Sequence, residues 1–105
     1  MKFRRLAFGL ARSAVRSETE AQVRVGVSYV TYSEGGYIVK VGRELAFRKP
    51  DAAGKKKTYW LVALKAPMKW EPPHENEQIS PEKRKEIERT ITAALEYLKI
   101  EYEIY

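Results

Sequence analysis

The chain has 105 residues, 44% hydrophobic and 32% charged, which is enough for one domain with its own core. It carries a formal charge of +6, no cysteine and one histidine, which excludes a disulfide-stapled scaffold, a thiolate metal site and a thiol nucleophile. No apolar run approaches the roughly 18 residues of a membrane span, so a soluble protein is expected.

The basicity is uneven. Residues 1–26 hold six Lys/Arg against two acids, whereas residues 27–105 hold fourteen against twelve. Phe3, Leu6, Ala7, Leu10, Ala11 and Ala14 recur at helical spacing, with Arg4, Arg5, Arg12, Ser13 and Arg16 mostly around the other side. This predicts a peripheral helix within a basic amphipathic segment, residues 1–21, ahead of a single α+β domain at 22–105. A presequence, a membrane-surface helix or a nucleic-acid arm shares that composition. The apolar centre Leu6 to Ala11 is too short for a secretory signal.

From Gln22 the period changes to two, and Val23, Val25, Val27 and Tyr29 predict a strand to about Tyr32. Ser33-Glu34-Gly35-Gly36 reads as a tight turn into a second strand, Tyr37 to Val41, because a glycine pair supplies positive φ. Gly42-Arg43-Glu44 reads as another turn before a short strand, Leu45 to Arg48, and Pro50 to Gly54 as a loop. Thr58 to Leu64 is apolar on both alternate faces, which predicts a central strand covered on both sides. One helix cannot cover both, so the second cover is either the N-terminal helix or another molecule, as in a homodimer.

The rhythm changes at Trp70-Glu71-Pro72-Pro73-His74-Glu75-Asn76-Glu77, where two prolines fix their own φ and remove two donors. Beyond this joint, Ser80-Pro81 has the chemistry of a helix start, a hydroxyl cap followed by a proline whose missing N–H costs nothing. Ile87, Ile91, Ala94, Leu95 and Leu98 then make one apolar stripe, and Ile100, Tyr102 and Ile104 alternate with Glu101 and Glu103 as a last strand. The predicted fold is α+β: an antiparallel sheet of about five strands packed on one main C-terminal helix, plus the peripheral N-terminal helix.

Catalytic patterns are lacking. His74 is the one imidazole, Ser80 beside it is engaged as a cap, and Glu71, Glu75 and Glu77 sit on a proline-stiffened loop without the burial that shifts carboxylate pKa values. No phosphate-binding glycine motif or nitrogen- and sulfur-rich metal set is present, so no enzyme, metal or cofactor is expected. Two binding readings remain. Trp70, Glu71, Pro72, Pro73, His74, Glu75 and Glu77 could present a pre-ordered aromatic and acidic surface to a protein partner. Alternatively, Trp60 and the sheet tyrosines stack nucleobases while Arg48, Lys49, Lys55, Lys56 and Lys57 contact phosphates, as a single-stranded nucleic-acid binder would.

Trp70-Glu71-Pro72-Pro73-His74-Glu75, the Ile79-Ser80 pair, the charged helix with Ile87 and Ile91, the acidic-aromatic last strand and the Tyr37 to Glu44 stretch together resemble the short immunity proteins of bacterial polymorphic toxin systems. The resemblance covers residues 28–105. It implies a cytoplasmic bacterial protein that binds a cognate toxin and blocks it, without chemistry or cofactor of its own. The basic N-terminus and the Lys-rich stretch at 49–57 lie outside the pattern.

Overall fold

The computed structural model describes residues 3–5, 14–17, 20–47, 54 and 58–105. In chain order these form β1 (Phe3–Arg5), β2 (Ala14–Ser17), β3 (Gln22–Val25), β4 (Tyr29–Glu34), β5 (Tyr37–Phe47), β6 (Thr58–Val62), α1 (Pro81–Tyr97) and β7 (Tyr102–Ile104). All seven strands join one sheet in sequence order, antiparallel except for β7, which runs parallel to β6. The α+β class with one C-terminal helix is as expected, but the sheet is mixed and exceeds five strands. The parallel step follows from connectivity: a helix lies between β6 and β7, and such a crossover brings the chain back in the same direction.

The expected N-terminal helix is replaced at both ends by strands. Val15 and Ser17 are buried while Arg16 between them is half-exposed, a period of two at the described end of the stretch. Residues 6–13 lie outside the described set. The strand expected over Gln22 to Tyr32 is two strands, because Gly26 N donates to Tyr29 O at 2.8 Å and the chain reverses at Gly26-Val27-Ser28. A Cβ on Gly26 would lie 3.2 Å from that same carbonyl oxygen, so glycine suits the reversal. Gly35 and Gly36, with φ of +55° and +86°, close the β4–β5 hairpin between Glu34 and Tyr37 as predicted.

The turn expected at Gly42-Arg43-Glu44 is absent. Instead β5 runs on for 11 residues and changes partner there: Tyr37 to Gly42 pair with β4, and Arg43 to Phe47 pair with β6. Arg48 to Ala53 and Lys55 to Lys57 lie outside the described residues, so the expected loop at 50–54 is described only at Gly54. This handover offsets the two halves of the sheet and leaves each half of β5 with one flank not occupied by its other strand.

Val23, Val30, Tyr32, Val39 and Val41 line the inner face of β3 to β5, and α1 lays Ile87, Ile91, Ala94 and Leu95 over β3 and β4. The helix begins as the sequence indicates. The Ser80 side chain accepts from Lys83 N at 3.1 Å, an arrangement that typically contributes about 1 kcal/mol. It ends in a Schellman pair, with Ile100 N to Leu95 O and Lys99 N to Glu96 O, both 3.0 Å, and Lys99 in the left-handed region. Because α1 sits over β3 and β4, β6 is not covered on both faces: Val62 is buried, but Tyr59, Trp60 and Leu61 are only half-buried.

Candidate functional site

Since β6 pairs only with the second half of β5, the flank of the first half on that side is open, and the joint fills it. Glu71 N donates to Ile38 O at 2.8 Å, which fastens the joint to β5. Trp70 enters the core at 7% exposure and meets the Tyr37 ring edge-on, centroids 5.0 Å apart. The chain then turns at Glu71-Pro72-Pro73-His74, closed by His74 N to Glu71 O at 3.0 Å, with the Pro72–Pro73 bond cis. That turn returns the His74 ring onto Tyr37, nearly parallel at 3.8 Å between centroids. A second turn, Glu77 N to His74 O at 3.0 Å, brings the Glu77 carboxylate to the Tyr37 hydroxyl at 2.9 Å and to His74 Nδ1. Tyr37 thus touches Trp70, His74 and Glu77.

The helix holds the other end of the joint. Arg84 Nη2 donates to Leu64 O at 2.8 Å and Ala66 O at 2.9 Å, and Nε reaches Glu88 at 3.0 Å. Beside Trp70, Lys83 Nζ bridges Glu34 at 2.7 Å and Glu86 at 3.2 Å, while the Tyr32 hydroxyl donates to Glu34 at 3.2 Å. Burial and the neighbouring Glu34 push the Tyr32 hydroxyl up to about 12. Burial alone would lower the Lys83 ammonium, but its hydrogen bonds to Glu34 and Glu86 hold it above the ordinary lysine value. Between this network and the joint lies a cleft of about 380 Å³, lined by Glu34, Tyr37, Trp70, Ile79 and Lys83. A second hollow of about 450 Å³ opens on the far side of Gln78–Ile79, against Met68, Lys69, Glu75 and Glu77.

The predicted surface residues therefore divide into support and display. Trp70 is a core plug, and Glu77 is bound internally by Tyr37 and His74. Pro72, Pro73 and Glu75 are exposed, Glu71 and His74 half-buried. The carboxylates of Glu71 and Glu75 have no side-chain partner among the described residues, and Glu75 is exposed. Sequence reasoning did not find Tyr37 as the hub of this arrangement. Its partner Glu77 lies 40 residues away, and nothing local marks such a pair.

Hydrogen bonds from Tyr37 and then from His74 stabilise the Glu77 carboxylate and lower its pKa. A depressed carboxylate pKa contributes stability that is complete above the ordinary carboxylate range and disappears as pH falls through the lower folded value. Acidification is therefore expected to loosen the joint ahead of the core, seen as a shift of the Trp70 indole resonance while core amides stay unchanged. Glu77→Gln should remove this acid step; its persistence in the variant would assign it elsewhere.

For the nucleic-acid reading, Arg48, Lys49, Lys55, Lys56 and Lys57 lie outside the described residues. Trp60 is half-buried, and the Arg43 guanidinium stands 3.5 Å from its ring centroid, covering a face that a base would need. Tyr32 is fully buried. No group of three or more His, Asp or Glu among the described residues is placed to hold a metal ion, and no described helix is long and apolar enough to cross a membrane.

Residues 22–104 match the family described as Immunity protein 74, and the chain belongs to that family. The match begins at β3 and takes in the joint, the helix and β7. No curated protein and no solved structure matches the chain.

Proposed function

We propose that the chain binds and neutralises a cognate bacterial toxin in the cytoplasm, using the joint as its docking face and performing no chemistry of its own. Family membership supports the class. The observation that carries the surface is the geometry of the joint: backbone pinned to Ile38, Trp70 locked in the core, Pro72, Pro73 and Glu75 exposed on that base and Glu71 half-buried beside them. Such a surface loses little entropy on docking. Its unpaired carboxylates suit a basic cleft, where complementary charge speeds encounter and fixes register.

The test is co-production with the toxin encoded beside the gene. Cells making both should survive, and the two proteins should elute as one stable complex. Death of the cells despite soluble, folded protein would overturn the reading.

A further inference from the structure

The inner face of the sheet runs on past the helix. Val41 is buried in the core, and side chains alternate along β5 so that Arg43, Leu45 and Phe47 point to the same side as Val41. Register carries this face onto the next strands: Leu45 lies beside Trp60 on β6, and Trp60 beside Tyr102 on β7. Because α1 rests on β3 and β4, this end of the sheet is uncovered, with Leu45 47%, Phe47 67% and Ile104 42% exposed. Exposed apolar side chains scattered singly are ordinary, but a contiguous shelf of them marks a contact surface.

On that shelf stands a cation without a counter-ion. The Arg43 guanidinium lies on the Trp60 ring, 3.5 Å from its centroid, and makes no ion pair or side-chain hydrogen bond to any described residue. Its Nε is buried without a hydrogen-bond partner. Burial weighs against the charge, yet arginine stays ionised, so a partly desolvated positive charge rests on an aromatic plate with no protein acceptor for its fork. Tryptophan, tyrosine and arginine are also the residue types that dominate the energetics of protein interfaces.

We propose that this shelf is a second docking surface, for a partner protein that lays across it a segment carrying one Asp or Glu between large apolar side chains. The carboxylate accepts from the Arg43 fork, a charge-assisted pair that is frequently bidentate. Apolar residues are needed on both sides of the acid, because Leu45 and Phe47 flank the Arg43–Trp60 stack on β5 while Tyr102 and Ile104 flank it on β7. A second copy of this chain does not supply that acid. A closed dimer sets the same face of both copies together. Glu44, Glu101 and Glu103 alternate to the far side, and Glu96 at the rim already accepts from the Tyr102 hydroxyl at 3.1 Å. Two copies would therefore bury two guanidiniums without a free carboxylate between them. The shelf shares no residue with the joint.

The test uses the full-length protein, isotope-labelled, titrated with the capped peptide acetyl-Leu-Glu-Leu-amide. Acetyl-Leu-Gln-Leu-amide, the same shape without the charge, is the control. The readout is the Arg43 Nε–H and Trp60 indole N–H signals. The Glu peptide should move both saturably and bind at least about tenfold more tightly than the Gln peptide, the advantage of a charge-assisted over a neutral hydrogen bond. Arg43→Met keeps an unbranched stem against Trp60 but removes the fork, so it should bring the two peptides to equal affinity while the amide spectrum stays that of the folded chain. Leu45→Ser leaves the fork in place and should weaken both peptides alike.

Equal affinity of the parent chain for the two peptides, or no response to either, would overturn the proposal. A preference for the Glu peptide that persists in Arg43→Met, or shifts confined to Trp70 to Glu77, would overturn it too. Movement of the Arg43 and Trp60 signals on dilution of the protein alone would overturn it in favour of a second copy. None of these outcomes bears on toxin neutralisation through the joint.

Discussion

Trp70→Ala is expected to lower the unfolding free energy by about 3–5 kcal/mol, the usual cost of truncating a buried tryptophan. Trp70 is 7% exposed and is the only buried side chain contributed by residues 65–80. Its loss removes the ring contact to Tyr37 and leaves Glu71 tied to β5 by one backbone bond to Ile38. Small domains are stable by only about 5–15 kcal/mol, so the variant would be marginal at 37 °C. Trp70→Phe retains an aromatic edge against Tyr37 and should recover a large part of the difference. Urea denaturation of the three proteins checks both statements. A Trp70→Ala chain as stable as the parent would mean that the joint is not held by its tryptophan.

Ile91→Ala should cost about 2–5 kcal/mol, since the side chain is fully buried at the centre of the helix stripe over β3 and β4. Ile91→Val, one methylene smaller, should cost about 0.5–1.5 kcal/mol. Arg89→Ala, two positions earlier on the exposed face, should stay within about 0.5 kcal/mol of the parent. The urea midpoint should move in that order with little change in slope, because the surface exposed on unfolding is nearly the same. Equal effects at 89 and 91 would contradict the placement of the helix.

Elements with local chemistry were legible in the sequence. Ser80-Pro81 marked the helix start, Gly35-Gly36 marked the hairpin, and the two prolines marked the joint, because each acts through its own backbone geometry. Elements decided by distant partners were not. Gly42 reads as a turn, yet it has no positive φ in the structure and marks only the point where β5 exchanges β4 for β6. The helical spacing read from Phe3 to Ala14 does not hold at its two described ends, where Phe3–Arg5 pairs with β2 and Ala14–Ser17 pairs with β3. At the joint, the aromatic plug and the exposure of Glu75 could be read from residue type and context. The capture of Glu77 by Tyr37 and His74 could not, since it depends on a hairpin and a turn meeting across 40 residues.

In the proposed complex, the joint presents the carboxylates of Glu71 and Glu75 to the toxin. The most direct test is the dissociation constant of the toxin complex for the parent chain, for Glu71→Lys/Glu75→Lys, and for Glu101→Lys as a control acid away from the joint. The double variant should lose about 100-fold or more in affinity, since like charges set against each other at an interface cost several kcal/mol, with the melting temperature unchanged and the control unaffected. A double variant that binds as tightly as the parent would contradict it.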